Sequence, residues 1–415
     1  MAVTTQLTWK QEKYLQNYFD GRQFSLLYKA SVHGFNESSL LQKCYDQGPT
    51  ITVFYFHDSV FGAYIQESYQ KINRGSVILF MFQKTIISIF EELLFKRFTK
   101  KNSIKRKDIV ASGRLQEDDK YSFQDCEVFR CEDLLDGRKI NGLTEFKKNL
   151  LYDIETYNPC GGLVCPARIL FLGPSRTGKS SFINSVKSVF RGRVTNQAVM
   201  SLSANQVSAF SEFRTYSVKN GKDGSHLPFI LCDSLGLREK EEGLCIDDIF
   251  YILKGHVPDR YEFNSTKSIT LDHLNYIDSP LLKDRIHCVV FLLDCNSINK
   301  LSHSMVTKIQ QFRREVIKYG VVQMVLLTHV DELELITKAD LLDPYRCMPV
   351  KLKLEEVHKV LGFPLSNILV VSNYTFEWEL DLIKDVMILS ALKQMLSATD
   401  GLEDLSPEEK TSRHN

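Results

Sequence analysis

Residues Gly173 to Ser180 read Gly-Pro-Ser-Arg-Thr-Gly-Lys-Ser and match the pattern G-x-x-x-x-G-K-[ST]. An apolar run at 168–172 predicts a strand before this segment, and apolar residues at helical spacing over 179–190 predict a helix after it. Between such elements the glycines let the backbone curve around a phosphate while successive N–H groups point inward. A chance match would arise roughly once per hundred chains of ordinary glycine content, so the segment predicts a phosphate-binding loop.

The side chains of this loop have separate predicted roles. Lys179 would reach the β- and γ-phosphates of a nucleotide, and Ser180 would offer its hydroxyl to Mg²⁺. The full set of predicted phosphate-binding residues is Gly173, Pro174, Ser175, Arg176, Thr177, Gly178, Lys179, Ser180, Ser181 and Gly236.

A second motif, Asp233-Ser-Leu-Gly236, follows the predicted strand 228–232 and fits D-x-x-G. Asp233 would hold Mg²⁺ through water, which makes Ser180 and Asp233 the predicted metal residues, and the N–H of Gly236 would sense the γ-phosphate. Leu237 stands where Ras-type enzymes have a glutamine that orients water. We therefore expect slow or partner-dependent GTP hydrolysis, with Arg176 and Arg238 either stabilising charge or simply solvated.

A switch residue that closes over Mg²⁺ should lie between these two motifs. The sequence does not choose among its candidates, which are Thr195, Ser201, Ser203, Ser208, Ser211 and Thr215.

The base-reading motif is predicted at Thr328-His-Val-Asp331, directly after the predicted strand 321–327. The carboxylate of Asp331 can accept both N1–H and N2–H of guanine, a donor pair that adenine lacks. His329 replaces the usual lysine and could stack on the base, whereas Asp331 could instead cap a helix. Small polar groups at Ser372 and Asn373 would lie at the base edge. The predicted guanine-binding residues are Thr328, His329, Asp331, Ser372 and Asn373.

Strands and helices alternate after residue 166, which predicts a mostly parallel sheet covered on both faces, with 213–218 as an added edge strand. Before it, short strand-like runs with intervening helical stretches predict an α+β domain. A Pro- and Gly-rich stretch separates the two. The predicted divisions are an N-terminal domain at 1–152, a linker at 153–166, a P-loop nucleotide-binding domain at 167–397 and a polar tail at 398–415.

Composition and charge narrow the cellular setting. The chain of 415 residues has a net charge of +1, so it offers no general attraction for nucleic acid or anionic membrane. Cys232 and Cys288 lie in apolar runs and predict buried free thiols in a reducing compartment. No secretory signal or membrane span is recognisable, and the cytoplasm is expected. The basic stretch from Lys96 to Lys107 could contact nucleic acid or anionic lipid, but a solvated loop is the preferred interpretation.

Several segments together resemble the interferon-induced protein 44 family. They are Leu26–Phe35, Gly48–Thr50, Phe61–Tyr64, Glu127–Asp133, Leu227–Leu237, Asp247–Leu253 and Thr328–Asp331. The resemblance implies an interferon-inducible cytoplasmic protein of the antiviral response. It also implies that T-H-V-D is the family's own base-reading form and that the N-terminal part is a TLDc-like interaction domain. The stretch 82–132 departs from the usual longer second half of a TLDc domain, so an incomplete or rearranged sheet is expected there.

Three functions remain open from the sequence. The first is a guanine-nucleotide switch that uses GTP or GDP with Mg²⁺ and controls self-association or a protein partner through the TLDc-like domain. The second is an adaptor with a structural nucleotide that does not cycle. The third is a P-loop ATPase, against which Asp331 argues.

Overall fold

The structure is a computed structural model, and its chain divides into two compact units. One comprises Met1–Gly137 with Thr337–Ala339, and the other comprises Arg138–Ile336 with Asp340–Asn415. The residues that the structure describes are 4–19, 21–57, 59–66, 77–83, 86–90, 103–105, 120–132, 137–159, 166–195, 212–221, 223–239, 244–263, 269, 276–333, 336, 338 and 340–400.

The N-terminal unit is built on a six-stranded antiparallel sheet, which confirms the predicted α+β class. Its strands and helices, in chain order, are α1 (Trp9–Tyr18), β1 (Gln23–Lys29), α2 (Ala30–His33), α3 (Glu37–Cys44), β2 (Thr50–Tyr55), β3 (Val60–Ile65), β4 (Val77–Gln83), β5 (Ile86–Phe90), β6 (Ser103–Lys105), β7 (Lys120–Ser122) and β8 (Asp125–Glu132). The order of strands across the sheet is β1-β8-β2-β3-β4-β5. The last described strand of the unit, β8, lies between the first two, β1 and β2.

Both faces of this sheet are covered, because residues of one strand alternate between two cores. On β2, Ile51 and Val53 belong to a core that includes Leu15 of α1, whereas Phe54 belongs to a core that includes Leu40 of α3. A close approach of two strands fixes the register further. A Cβ at Gly62 of β3 would lie 2.1 Å from the ring of Phe80 on β4, so the aromatic ring packs directly on the glycine backbone.

A buried carboxylate lies at the centre of the unit on β8. Glu127 is fully buried and forms an ion pair with Lys29 at 2.9 Å. It also accepts hydrogen bonds from the hydroxyls of Tyr55 at 2.6 Å and Thr5 at 2.7 Å. A charge in this position is tolerated because its oxygens have several donors.

The basic stretch from Lys96 to Lys107 falls largely outside the described residues. Only 103–105 are described, and they form β6, which pairs with β7 in a separate two-stranded sheet.

The C-terminal unit contains a seven-stranded sheet with the order β12-β10-β11-β9-β13-β14-β15. The strands are β9 (Ala167–Leu172), β10 (Glu212–Lys219), β11 (His226–Asp233), β12 (Tyr261–Glu262), β13 (Cys288–Asp294), β14 (Val322–Thr328) and β15 (Ile368–Val370). Strands from β11 to β15 across the sheet are parallel, and β10 is antiparallel to β11. The mostly parallel α/β class is therefore confirmed, but β12 pairs outside β10, so β10 is not the edge strand that its pattern predicted.

Helices lie on both faces of this sheet. They are α4 (Gly137–Glu155), α5 (Lys179–Arg191), α6 (Asp248–Lys254), α7 (His303–Lys318), α8 (Met348–Leu361) and α9 (Leu382–Ser397). Residues of α4, α5 and α9 share one core with Val290 of β13. Phe291 alternates to the other face, where its ring lies 5.3 Å from that of Phe363, just after α8. The continuous apolar run of β13 is thus buried on both sides, as its sequence predicted.

The helix α4 places the boundary between the compact units earlier than the predicted 152/153 division. Leu150 and Ile154 of α4 are buried in the same core as the P-loop helix α5. The predicted linker is thereby shortened, since its first residues complete α4, and residues 160–165 of it lie outside the described residues. Of the predicted tail, residues 398–400 are described and 401–415 are not. Cys232 and Cys288 are buried free thiols, as predicted.

Candidate nucleotide-binding site

The predicted phosphate loop connects the end of β9 to the start of α5. Gly178 precedes the helix with a φ of 85°, and Gly173 leaves the strand with a φ of 139°. A Cβ at Gly173 would lie 2.3 Å from the carbonyl oxygen of Leu292 on β13. Both glycines therefore occupy backbone conformations that favour glycine, and Gly173 also has no room for a side chain.

Lys179 is buried, and its ammonium has backbone carbonyls as hydrogen-bond acceptors. Its Nζ donates to the carbonyl oxygens of Gly173 at 3.0 Å and Pro174 at 2.7 Å. Burial lowers the pKa of Lys179 to about 8, although the nearby Asp233 carboxylate opposes this effect. An anion placed beside this desolvated ammonium would stabilise its charged form.

Ser180 and Asp233, which the sequence assigned to a metal, lie in contact. The hydroxyl of Ser180 donates to Oδ2 of Asp233 at 2.8 Å. The other carboxylate oxygen, Oδ1, is buried and has no hydrogen-bond partner within the described part of the chain. Burial raises the pKa of Asp233, opposed by Lys179 and Ser180. An oxygen-donor pair with one orphaned carboxylate oxygen fits Mg²⁺, which prefers such ligands and keeps several waters.

The D-x-x-G segment lies against the phosphate loop. The backbone N–H of Leu237 donates to the carbonyl oxygen of Gly173 at 2.9 Å, and Pro174 and Leu237 form an isolated parallel bridge. A Cβ at Gly236 would lie 2.6 Å from Oγ of Ser175. The Leu237 side chain is buried, so it presents no polar group to a water molecule.

Thr328 joins the predicted base-reading motif to the phosphate loop. It is the last residue of β14, and its hydroxyl donates to the carbonyl oxygen of Thr177 at 3.0 Å. Gly178 lies close to the same residue, since a Cβ there would be 3.4 Å from Cγ2 of Thr328. The structure therefore brings two motifs together that are some 150 residues apart in sequence.

His329 adopts a left-handed conformation with a φ of 56° and contacts an acidic residue that the sequence analysis did not select. Its Nδ1 lies 3.5 Å from Oδ1 of Asp294, the last residue of β13. The hydrogen bond to Asp294 raises the pKa of His329, although burial opposes it. Burial would raise the pKa of Asp294, but hydrogen bonds from His329 and Ser297 outweigh it and bring that pKa to about 2.

Asp331 lies in a short 3₁₀ helix, Val330–Glu332, and its side chain is 31% exposed. Its Oδ2 lies 3.3 Å from Nζ of Lys384 on α9, a residue that no sequence motif indicated. The alternative role of Asp331 as a helix N-cap is wrong, because it lies within this short helix and the N-cap is His329.

Ser372 and Asn373 follow β15 and are buried. Oγ of Ser372 and Oδ1 of Asn373 have no hydrogen-bond partner among the described residues, whereas Nδ2 of Asn373 donates to the carbonyl oxygen of Gly178 at 3.4 Å. Buried polar atoms without partners are costly in proteins. They are consistent with a polar ligand at this position.

The switch candidates are only partly covered by the structure. Thr195 is held at the end of α5, where its N–H donates to Oγ of Ser188 at 2.9 Å. Thr215 lies within β10, and its N–H donates to Asp259 at 2.6 Å. The other four candidates, Ser201, Ser203, Ser208 and Ser211, lie outside the described residues. Arg176 is exposed in the loop with a φ of 65°, and the carbonyl oxygen of Arg238 accepts a hydrogen bond from Lys308 at 2.8 Å.

A strand, a glycine-bracketed loop and a helix, in a domain with a mostly parallel sheet, define an α/β domain of the P-loop class. A family model for the TLDc domain matches residues 2–92, within the antiparallel unit.

The chain belongs to the interferon-induced protein 44 family. It is 54% identical to interferon-induced protein 44 of Homo sapiens over 98% of this chain and 96% of that protein. It is 50% identical to interferon-induced protein 44 of Mus musculus over 98% of this chain and 99% of that protein. The human interferon-induced protein 44-like is 42% identical over 99% of this chain and 97% of that protein.

Solved structures show a weaker likeness. The SsGBP complex with GDP is 14% identical with a TM-score of 0.30, covering 65% of this chain and 60% of that chain. A GTP-binding protein from Sulfolobus solfataricus in complex with GDP is 15% identical with a TM-score of 0.27, covering 63% of this chain and 58% of that chain. Within the described residues, no helix combines the length and the apolar character needed to cross a membrane.

Proposed function

We propose that the C-terminal domain binds GTP and GDP with Mg²⁺ and that the bound nucleotide controls self-association or a protein partner. The observation that carries this proposal is the contact of Ser180 with Asp233 at 2.8 Å beside the buried ammonium of Lys179. These residues come from separate motifs, and chance matches in sequence would not be expected to converge.

Different residues of the site would bind the phosphates, the Mg²⁺ and the base of the nucleotide. Lys179 would exchange its two carbonyl acceptors for phosphate oxygens, and backbone N–H groups at the start of α5 would face the same anion. Ser180 and Asp233 would hold Mg²⁺, which would neutralise phosphate charge when bound. On the base side, Asp331 would accept the N1–H and N2–H of guanine, with Thr328, His329, Ser372 and Asn373 around it.

Titration of labelled GTP, GDP and ATP against the purified protein tests this proposal. We expect guanine nucleotides to bind in a Mg²⁺-dependent manner and ATP to bind at least about tenfold more weakly, because a lost charged hydrogen-bond pair costs about 1.5–3 kcal/mol. The Lys179→Ala variant should show no measurable binding of GTP, GDP or ATP. Lys187→Ala is a suitable control, because Lys187 is also a buried lysine on the same helix, and its ammonium lies 4.0 Å from the ring centroid of Tyr216. Equal affinity for ATP and GTP would favour the ATPase alternative, and no guanine binding would refute the proposal.

A non-cycling adaptor is the second candidate, and the position of Leu237 favours it. The Leu237 side chain is buried, and its backbone N–H donates to the carbonyl oxygen of Gly173. This position therefore supplies no group that could orient a water molecule. Slow or partner-dependent hydrolysis suits either candidate. Exchange of bound labelled GDP against excess GTP separates them: exchange within minutes supports a switch, whereas retention over hours supports the adaptor.

In the cell, we propose an interferon-inducible cytoplasmic protein of the antiviral response, in keeping with the names of its relatives. The TLDc domain would serve as the interaction module. Light scattering of the full chain loaded with GDP or with a non-hydrolysable GTP analogue tests whether assembly depends on nucleotide. The same molar mass in both states would contradict control of self-association.

A further inference from the structure

Three segments on the base side of the site meet at the ammonium of Lys384. Its Nζ lies 3.3 Å from Oδ2 of Asp331, 3.1 Å from the carbonyl oxygen of Asn373 and 2.5 Å from Oε1 of Glu377. These acceptors belong to the loop after β14 and to the loop between β15 and α9. One side chain thus joins the two loops that the sequence assigned to guanine.

The number of donors defines what Lys384 can do. A lysine ammonium has three N–H donors, and all of them have acceptors here. No donor remains for the base itself. Lys384 therefore acts through Asp331 rather than on a ligand directly.

The surroundings of Lys384 hold it in this geometry. Its side chain is 14% exposed, and Asp381 caps α9 by accepting the N–H groups of Ile383 and Lys384 at 2.9 and 3.2 Å. Glu377 is fixed in turn, because its Oε2 accepts the backbone N–H groups of Thr375 and Phe376 at 2.6 and 3.0 Å. The ammonium has little freedom to leave Asp331.

The position of Lys384 in its helix is unfavourable for the helix itself. It lies in the first turn of α9, where the helix dipole favours anions over cations. A second lysine on α9, Lys393, lies outside the first turn and pairs with Asp153 at 2.5 Å. The helix dipole therefore does not explain the position of Lys384, whose charge is used by the loops.

We propose that Lys384 is a specificity-determining positioning residue that holds the Asp331 carboxylate for two-point recognition of guanine; this rests on the proposed guanine site. Recognition of N1–H and N2–H together needs both carboxylate oxygens at a fixed orientation. Asp331 is partly exposed and can rotate unless something fixes it. Lys384 supplies a lysine near the base motif, where the Thr-His-Val-Asp sequence has His329 instead.

The test compares GDP with IDP, whose base retains N1–H but lacks the 2-amino group. The unaltered protein should prefer GDP by about tenfold or more, as expected for a hydrogen bond to a charged group. In Lys384→Met and Lys384→Gln, Asp331 loses its fixed orientation. GDP affinity should then fall about tenfold while IDP affinity changes little, so that the ratio falls to within about threefold. Lys384→Arg retains the cation and should restore most of the preference.

Lys393→Met is the matched control on the same helix and should keep the ratio of the unaltered protein. A loss of GDP and IDP affinity by the same factor in the Lys384 variants would show a structural role and overturn the inference. If both neutral variants fail to fold, Lys384→Arg decides the question. A GDP preference within about threefold of that of the unaltered protein would support the inference, and a collapsed ratio with an unchanged melting temperature would overturn it. Absence of GDP binding in the unaltered protein would refute the proposed function itself and this inference with it.

Discussion

At the scale of single residues, the ammonium of Lys179 is the group whose energy depends most directly on a ligand. In the free site, burial lowers its pKa to about 8, and its acceptors are neutral carbonyls. Phosphate oxygens would stabilise the charged form and raise this pKa. Binding would therefore take up a proton when the pH is above about 8.

We expect GDP affinity to be constant with pH below about 8 and to fall above it, by up to a factor of about ten per pH unit. The fall should end where the pKa of the bound state is reached. Isothermal titration in buffers of different ionisation enthalpy measures both the affinity and the proton uptake. A flat affinity with no proton uptake between pH 7 and 9.5 would contradict this account.

The pair of His329 and Asp294 gives a second residue-scale prediction. Because the pKa of His329 is raised above 6.5, the charged pair contributes stability below that pH and loses it as pH rises through the raised value. Asp294→Asn removes the main partner, so the pKa of His329 should fall. An NMR titration of the imidazole C–H signals measures this shift, with His329→Gln used to assign the resonance. An unchanged pKa would show that Asp294 is not the cause.

At the scale of elements, the contact between the end of β9 and β13 depends on the absence of a side chain at Gly173. Gly173→Ala would place a Cβ 2.3 Å from the Leu292 carbonyl oxygen at a φ of 139°, so the loop must shift. We expect loss of nucleotide binding and a destabilisation of about 2 kcal/mol or more, measured by urea unfolding. Gly192→Ala is the control, because Gly192 also has a positive φ, of 70°, but no described atom within 4 Å of an added Cβ. Equal effects of the two changes would contradict the steric account.

The start of β13 is linked to β9 by a buried neutral histidine, His287. Its Nδ1 accepts the backbone N–H of Arg168 at 2.8 Å, and its Nε2 is 3.0 Å from the carbonyl oxygen of Leu282. Burial lowers its pKa to about 4. The unfolded chain, with a pKa near 6.5, binds more protons in this window, so stability falls as pH drops from about 6.5 to about 4.

This loss should amount to about 3 kcal/mol, because each pKa unit corresponds to about 1.4 kcal/mol. Urea unfolding followed by circular dichroism at several pH values measures it. In His287→Gln the pH dependence over this window should shrink, even though the variant is less stable at pH 7. A pH dependence of the same size in His287→Gln would assign the effect to other groups.

At the scale of the whole molecule, substitutions in α4 test where one compact unit ends and the other begins. Leu150 is 3% exposed in the C-terminal core, so Leu150→Ala should lower the stability of that unit by about 2–5 kcal/mol. Tyr152→Ala, on the same helix but 66% exposed, should change stability by less than about 0.5 kcal/mol. Hydrogen exchange resolved by segment measures each unit separately. If Leu150→Ala speeds hydrogen exchange in the N-terminal sheet but not around β13, α4 belongs to the N-terminal unit.

Patterns within short stretches of sequence predicted most of this molecule. The strand, loop and helix around Gly173 and the buried run of β13 depend on local periodicity and spacing, and the structure has both. The sequence did not indicate α4, although Leu143, Leu150 and Ile154 follow helical spacing, because the Pro- and Gly-rich stretch after it favours a later boundary.

The features that the sequence could not reveal are those made by distant segments. Lys384 reaches Asp331 from 53 residues away, and Asp294 meets His329 from the neighbouring strand. Neither belongs to a motif with fixed spacing. Likewise, the sequence indicated the β8 segment only through its family resemblance, and the place of β8 between β1 and β2 depends on pairing across about 100 residues.

The place of β8 between β1 and β2 has a consequence for synthesis of the protein. Gln23 of β1 pairs with Glu132, and Thr50 of β2 pairs with Arg130, so β1 has no partner strand and β2 has only β3 until the ribosome has passed residue 132. The nascent chain must keep two unpaired strand edges from associating with other chains during that time. Such high contact order slows folding, and a fragment that stops at the end of the matched TLDc segment would lack the strand that joins β1 to the rest.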